Sequence, residues 1–311
     1  RALDDPRALG AEGPTSAAEA LGALAGATPP PVVFPVLHGP FGEDGTVQAL
    51  VGSAGLVCCG SGVAASAVGM DKTLSKRVWR SVGLPVLPWV DITAVGWREG
   101  RQALLAELEA FAAGLADPRL VTKPARLGSS IGISIVRRPD EPPELEQAVD
   151  AALTHGGLAL AEPYLDHPRE LEVALVGEGR ADLEAFGPGE VLPGREFYDF
   201  EAKYRSAGSR TEVAPRLDPG VAAEVRRIAT EAFLAIGATG FARVDFLMGR
   251  DGAIWLSEIN TIPGCTPISL FPMLVAAAGH DFGALCERIV ALALDHAAGA
   301  PVRRLRRADL P

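Results

Sequence analysis

The sequence predicts a mixed fold, with a parallel α/β layer at the N-terminal end followed by two α+β parts. Residues 32–83 alternate strand, loop and helix, which is the pattern of an α/β layer. After Pro85 and Pro88 the pattern changes to helices and hairpin-like strand pairs. The chain has 311 residues, enough for two or three domains. We place the domains at 1–88, 89–161 and 162–311.

In the first part, the apolar run 32–37 predicts a short strand buried in a parallel sheet. Thr46 is a candidate N-cap for a helix over 47–52. Residues 56–59 predict a second strand, and residues 61–83 predict a loop and a helix. These segments build the α/β layer.

The central and C-terminal parts alternate amphipathic helices with strands. The predicted helices are 102–115, 144–155, 221–236 and 282–298. The predicted strands are 120–123, 131–136, 158–164, 171–176, 242–248 and 253–259. Residues 187–219 are rich in glycine, proline and polar side chains, so we predict a long loop there, with a lid over about 187–215.

Composition argues against several classes of protein. Lys plus Arg is 29 and Asp plus Glu is 39, so the net charge is −10, which disfavours nucleic-acid binding. No apolar run approaches the roughly 20 residues of a membrane-spanning helix, and no signal-peptide pattern is present. The four cysteines lack zinc-site spacing and fit a reducing cytoplasm best. We expect a cytoplasmic protein without nucleic-acid or membrane partners.

The strongest chemical signal lies near the C-terminal end. The turn signal at 251–252 predicts an antiparallel hairpin that brings Asp245 near Glu258 and Asn260. Glu258 and Asn260 differ by two positions, so they point to one face of their strand. Two carboxylates and an amide oxygen are ligands suited to Mg²⁺. The alternative is a polar strand face turned to solvent, which the flanking apolar residues and Arg243 disfavour.

Several weaker signals suggest a site for phosphates and a nucleotide. Lys123 ends an apolar strand before a small-residue turn at 128–130, which could cover phosphates or be a plain surface turn. Lys72 opens a helix, where a lysine is usually solvated. Glu162 ends a strand in a position suited to an adenine hinge, with Glu170 in reach of a ribose. The aromatic residues within 197–204 suggest a closing lid or a satellite hydrophobic cluster.

Together these residues resemble the D-alanine–D-alanine ligases of the ATP-grasp superfamily, from about residue 31 to about residue 295. Several motifs in order and at family-like spacings make the resemblance specific. The matching segments are 37–46 (LHGPFGEDGT), 60–62 (GSG), 70–72 (MDK), 123–132 (KPARLGSSIG), 197–204 (FYDFEAKY) and 258–266 (EINTIPGCT). The resemblance implies an ATP-grasp fold with a substrate domain and two ATP-grasp domains.

The resemblance also implies a two-step reaction for peptidoglycan synthesis. ATP phosphorylates the carboxylate of one D-alanine, and the amine of a second D-alanine attacks the acyl phosphate. Two Mg²⁺ ions, or Mn²⁺, would be held by Asp245, Glu258 and Asn260, and ATP and D-alanine would be the small-molecule partners. We also expect a homodimer.

Further roles follow from the resemblance, residue by residue. The implied ATP-binding residues are Lys72, Lys123, Ser130, Glu162, Leu165, Glu170 and Lys203. The implied catalytic residues are Ser129, Tyr204, Arg243 and Gly264, the last two stabilising the tetrahedral oxyanion. The implied substrate-contacting residues are His38, Ser269 and Leu270, with the last two at the carboxylate of the second substrate.

Two alternatives stay open at this point. One is another ATP-grasp carboxylate–amine ligase with a different acceptor, and the other is a non-catalytic, nucleotide-binding remnant. The pair Lys203-Tyr204 favours an amine acceptor over D-lactate, whereas D-serine is less easily excluded.

Ligases of this family begin with a strand and a glycine-rich turn bearing a glutamate, which nothing before Val32 matches. We therefore expect the first strand to be missing here. Cys265 also replaces a bulkier residue.

Overall fold

The computed structural model describes residues 16–128, 130–192 and 210–299, which form three sheets and the helices around them. The strands are β1 (Val32–Val33), β2 (Val57–Cys58), β3 (Val90–Thr93), β4 (Leu120–Pro124), β5 (Ser134–Val136), β6 (Leu158–Pro163), β7 (Arg169–Gly177), β8 (Glu184–Leu192), β9 (Arg210–Glu212), β10 (Gly240–Met248) and β11 (Ile254–Asn260). The helices are α1 (Ala17–Gly26), α2 (Thr46–Ser53), α3 (Val63–Met70), α4 (Lys72–Ser81), α5 (Ala94–Ala113), α6 (Pro142–Leu153), α7 (Pro219–Ala235), α8 (Leu270–Ala277) and α9 (Phe282–Gly299).

The N-terminal layer is parallel, as predicted, but its strands are shorter than expected. β1 pairs with β2 over two residues only. The predicted strand 32–37 is wrong beyond Val33 because Pro35 has no backbone N–H to donate, and Leu37 is 51 % exposed. The predicted Thr46 cap is also wrong. Gly45, in a left-handed conformation, precedes α2, and the Asp44 carboxylate accepts the Thr46 N–H at 3.0 Å.

A four-stranded antiparallel sheet, ordered β3–β6–β4–β5, forms the central part. Helices α5 and α6 cover it through a core that includes Leu105, Leu108 and Val149. α5 begins earlier than the predicted residue 102 because the Thr93 hydroxyl caps it by accepting the Gly96 N–H. β6 runs to Pro163, beyond the proposed domain boundary at residue 161.

A five-stranded antiparallel sheet, ordered β11–β10–β7–β8–β9, forms the C-terminal part. Side chains alternate between faces along a strand, and β7 shows this alternation in its packing. Leu171 and Val173 lie in the core shared with α7. Ala174 and Val176 lie in the core shared with α8 and α9. Helices therefore cover both faces of this sheet.

The predicted loop 187–219 is wrong over 187–192 and 210–212, where β8 and β9 extend the sheet. The glycines that suggest a loop instead allow α8 to approach the sheet closely. A Cβ atom at Gly187 would lie 3.1 Å from Leu274 Cδ1, and one at Gly189 would lie 2.9 Å from Leu270 Cδ2. The rest of the predicted lid, residues 193–209, lies outside the described residues.

The N-terminal layer is joined to the C-terminal sheet by backbone and side-chain contacts. Thr239 Oγ1 donates to the Gly60 carbonyl at 3.1 Å, and a Cβ at Gly240 would lie 2.9 Å from Gly60 Cα. The indole N–H of the fully buried Trp79 donates to the Ala232 carbonyl at 3.1 Å. Among the described residues, no helix has the length and apolarity to span a membrane.

Candidate active site

A cleft with a cavity volume of about 220 Å³ lies between the central and the C-terminal sheets. β4 and β6 supply one wall, and β7, β10 and β11 supply the other. The sequence-predicted site residues that line it are Lys72, Lys123, Ser130, Glu162, Leu165, Glu170, Asp245 and Glu258. Residues that are more than 180 positions apart in the chain are thus brought to one cavity.

Two lysines share one carboxylate on the central-sheet side of the cleft. Lys123 of β4 forms an ion pair with Glu162 of β6, and Lys76 Nζ of α4 lies 2.9 Å from Glu162 Oε2. Burial alone would raise the pKa of Glu162, but the two ammonium groups lower it to about 2. Sequence analysis missed Lys76. Its position four residues after Lys72, on the same face of α4, was the available signal.

Lys72 connects both walls of the cleft. Its Nζ lies 2.9 Å from Glu258 Oε2 and donates to the Leu127 carbonyl at 3.0 Å. Its backbone N–H donates to the Ala125 carbonyl at 2.9 Å. The predicted phosphate-covering turn is therefore held next to the start of α4. The expectation of a solvated lysine at this helix start is wrong, since Lys72 is buried.

The predicted C-terminal hairpin is confirmed, with a bulge between Asp245 and Phe246. Asp245 lies opposite Glu258, and Arg243 lies opposite Asn260. Asn260 Nδ2 donates to Asp245 Oδ2 at 3.0 Å. The hairpin thus gathers the three predicted metal ligands, and their hard oxygen donors fit Mg²⁺.

No group of three or more histidine, cysteine, aspartate or glutamate side chains with metal-binding geometry occurs in residues 16–128, 130–192 and 210–299. An ion at the hairpin would therefore depend on the Asn260 amide oxygen and on oxygens of the substrate to complete its coordination shell.

Arg243 lies beside this hairpin between two carboxylates. Its guanidinium donates to both carboxylate oxygens of Asp245, at 2.7 and 2.6 Å, and Nε lies 3.2 Å from Glu172 Oε2. Burial alone would lower the pKa of Arg243, but Asp245 and Glu172 raise it well above its usual value. A permanent, fixed positive charge therefore stands next to the predicted metal ligands.

The glycine-rich loop at 38–45 approaches the same group of charges. Glu43 Oε2 accepts the Gly39 N–H at 2.6 Å. Burial and, to a smaller extent, the Glu258 carboxylate raise the pKa of Glu43 to about 7, although the Gly39 hydrogen bond and the charges of Arg243 and Lys72 lower it. Sequence analysis did not assign Glu43 a role, because its surroundings come from segments distant in sequence. His38 is exposed at the start of this loop.

The predicted acceptor residues lie where β11 leads into α8. A Cβ at Gly264 would lie 2.8 Å from the Ser269 hydroxyl, so these two residues are neighbours. Ser269 Oγ lies 2.8 Å from Thr266 Oγ1, and Ser269 precedes the first residue of α8. The Leu270 side chain is 3 % exposed and belongs to the core. Of this residue, the backbone N–H is therefore the group suited to binding a carboxylate.

Three predicted residues lie outside the described part of the chain. They are Ser129, Lys203 and Tyr204. Cys265, the departure from the resemblance, is half-buried, and its thiol contacts the Pro263 carbonyl at 3.4 Å. All four cysteines are free thiols.

Comparisons with known proteins agree with this arrangement. A family model described as D-ala D-ala ligase C-terminus matches residues 78–291. A D-alanine–D-alanine ligase of Kocuria rhizophila is 43 % identical over 270 residues, covering 86 % of this chain and 68 % of that protein. One from Deinococcus radiodurans is 41 % identical over 266 residues, covering 85 % and 75 %.

Solved structures give the same result. The D-alanine-D-alanine ligase from Coxiella burnetii superposes with a TM-score of 0.72 at 32 % identity, covering 86 % of this chain and 68 % of that one. The VanG D-Ala:D-Ser ligase from Enterococcus faecalis superposes with a TM-score of 0.73 at 30 % identity, covering 84 % and 72 %.

Two antiparallel sheets around a cleft lined by lysines and carboxylates are the architecture of the ATP-grasp class of ATP-dependent ligases, which confirms the predicted fold class. Within that class, the sequence identity to the relatives and the share of each chain that is covered determine the family. The chain belongs to the D-alanine–D-alanine ligase family.

Proposed function

We propose that this protein uses ATP to join two D-alanines into D-alanyl-D-alanine, a peptidoglycan precursor, releasing ADP and phosphate. The observation that supports this most directly is the distribution of charge across the cleft. Lys72 and Lys123 supply ammonium groups, and Asp245 and Glu258 supply carboxylates facing the same cavity. This arrangement suits a triphosphate and its divalent ions.

The chemistry requires an anionic carboxylate to approach an anionic γ-phosphate. Lys72 and Lys123 would bind the α- and β-phosphates, with Lys203 at the γ-phosphate. Asp245, Glu258 and Asn260 would hold two Mg²⁺ ions, or Mn²⁺, which when bound offset the repulsion between the two anions. The carboxylate oxygen then attacks phosphorus, and the bond to ADP breaks.

The amine of the second D-alanine attacks the acyl phosphate and displaces phosphate. Arg243 and the Gly264 N–H would stabilise the oxyanion of that step, and the fixed guanidinium described above supports this role for Arg243. Ser269 and the backbone N–H of Leu270 would bind the carboxylate of the second substrate. His38, Ser129 and Tyr204 remain predicted contacts of the substrates.

The nucleotide base and ribose are assigned to other residues that line the same cavity. Leu165 and Glu170 line it together with Glu162 and Ser130. Glu162 and Leu165 would contact the adenine, Glu170 the ribose, and the turn at Ser130 would cover the phosphates. The division into three domains, a homodimer and a cytoplasmic location also remain predictions.

The direct test is phosphate release with ATP, Mg²⁺ and D-alanine, compared with L-alanine and D-lactate as substrates. We expect release with D-alanine and formation of the dipeptide. D-serine is included as acceptor because a D-Ala:D-Ser ligase is among the structural relatives. Release that is equal with L-alanine, or ATP hydrolysis without dipeptide, would contradict the proposal.

The metal ligands are tested with Glu258→Gln, which keeps the size of the side chain and removes its charge. We expect turnover to fall by about 100-fold or more and the half-saturating Mg²⁺ concentration to rise. The matched control is Glu287→Gln on the exposed part of α9, which should leave both quantities unchanged. An unchanged Mg²⁺ dependence in Glu258→Gln would remove this residue from the metal site.

The lid is tested with Tyr204→Phe, which removes only a hydroxyl. We expect the variant to accept D-lactate more readily relative to D-alanine, because the Lys203-Tyr204 pair is the sequence feature that favours an amine. Product ratios measured from pH 6 to pH 9 check this. Ratios equal to those of the unaltered protein across this range would refute the role.

A further inference from the structure

Lys76 is a buried lysine that does not line the cavity, yet it contacts a residue that does. The whole residue is 1 % exposed. Its ammonium lies 2.9 Å from Glu162 Oε2 and donates to the Leu87 carbonyl at 3.2 Å. It also lies 5.4 Å from the centre of the Trp89 ring. A buried ammonium is costly unless it is paired, so each of these contacts offsets the loss of hydration.

The charges in this cluster do not cancel. Glu162 carries one negative charge, and Lys76 and Lys123 carry two positive charges around it. Without Lys76, Lys123 and Glu162 would form a neutral pair, and the Lys123 ammonium would have a carboxylate of its own. With Lys76 present, the carboxylate is shared and the cluster keeps one net positive charge beside the cavity.

The position of Lys76 is fixed by elements outside the cleft. Leu87 and Trp89 belong to the segment that leads into β3, and the Arg80 guanidinium lies 3.9 Å from the centre of the same Trp89 ring. Burial lowers the pKa of Lys76, and the nearby Lys123 and Arg80 charges lower it too, whereas Glu162 favours the charged form. Since the ammonium is held from three sides, its position beside Glu162 is set before a ligand binds.

We propose that Lys76 is a positioning residue for the nucleotide phosphates, acting through Glu162 and Lys123. Because Lys76 shares the Glu162 carboxylate, the ion pair between Lys123 and Glu162 is weaker, and the Lys123 ammonium stays available to a phosphate. This inference rests on the proposed function only in naming a nucleotide as the ligand of the cleft. It predicts that removing the Lys76 charge weakens the binding of the phosphates much more than the binding of the nucleoside, because Glu162 stays ion-paired with Lys123 and keeps its proposed contact with the adenine.

The experiment compares ADP and adenosine binding, by calorimetry and by competition, in the full chain and in three variants. Lys76→Met removes the charge and keeps the length of the side chain. Lys76→Gln also keeps a donor for the Leu87 carbonyl, so that a neutral variant is available if the methionine protein fails to fold. Lys76→Arg keeps the charge.

We expect the dissociation constant for ADP to rise at least about tenfold in both neutral variants, while that for adenosine changes less than about twofold. Lys76→Arg should bind ADP within about threefold of the unaltered protein. An equal loss for ADP and adenosine would show a merely structural role and overturn the proposal. So would unchanged ADP binding in a neutral variant, or a loss in Lys76→Arg as large as in Lys76→Met.

Turnover separates this inference from the proposed function. If the unaltered protein binds ADP but does not ligate D-alanine, the proposed function fails while the test of Lys76 still stands. If it ligates D-alanine and the neutral variants show an unchanged KM for ATP, the inference about Lys76 fails alone. A rise in the KM for ATP with an unchanged KM for D-alanine is the result expected from both proposals.

Discussion

The raised pKa of Glu43 predicts that the free energy of unfolding depends on pH. Burial raises its pKa from 4.5 to about 7, so the folded protein favours the protonated carboxyl. A group whose folded-state pKa is raised contributes stability below its unfolded pKa, and that stability is lost as the pH rises through the folded value. The free energy of unfolding should therefore fall as the pH rises from about 4.5 to about 7, and stay at its lower value above pH 7.

The size of the effect follows from the two pKa values. Their difference corresponds to about 3 kcal/mol of destabilisation at pH 8 and to about 1 kcal/mol at pH 5. Glu43→Gln is neutral at both pH values, and its amide oxygen can still accept the Gly39 N–H. We expect this variant to gain about 2 kcal/mol more stability at pH 8 than at pH 5, relative to the unaltered protein.

Urea unfolding without nucleotide or divalent ions, at pH 5 and pH 8, measures this difference. Glu107→Gln, on the exposed face of α5, is the matched control for removing one negative charge. Surface substitutions of this kind change stability by roughly 0.5 kcal/mol or less. If Glu43→Gln changes the free energy of unfolding by the same amount at the two pH values, burial does not raise the pKa of this carboxyl.

Three further substitutions test other parts of the structure. Trp79→Phe should lower the free energy of unfolding by about 2–4 kcal/mol in urea titrations, because it leaves a gap and an unpaired Ala232 carbonyl. Gly240→Ala should cost about 2 kcal/mol or more, since its φ is +76° and a Cβ would meet Gly60, and unchanged stability would refute the close contact. Asp245→Asn should reduce ligase turnover by at least about 100-fold, as measured by phosphate release, because Arg243 loses one of its two charged partners and the proposed metal site loses a charged ligand.

The sequence was sufficient for features that depend on local pattern. The hairpin followed from a turn signal, and the two-residue period of strands put Glu258 and Asn260 on one face near Asp245, whereas the bulge between Asp245 and Phe246 that sets the register was not predicted. The resemblance then identified Lys72, Lys123 and Glu162, all of which line the cleft. Motif spacing carries such information because each motif is one turn or one strand end.

Features that depend on distant neighbours could not be read in this way. Lys76 looks like an ordinary helix lysine until Glu162 and Leu87, from other segments, are packed around it. Glu43 owes its raised pKa to burial that no local pattern records. The burial of the Leu270 side chain in the core, which leaves its backbone N–H for the predicted contact with a carboxylate, also depends on residues distant in sequence.

The two glycines of β8 have a consequence for the start of α8. Gly187 and Gly189 leave room for the Leu270 and Leu274 side chains of that helix, which starts at Leu270, directly after Ser269. A methyl group at Gly189 would push the helix outward and carry the proposed acceptor position with it. Changes in preference between D-alanine and D-serine can therefore arise at residues that never touch either amino acid.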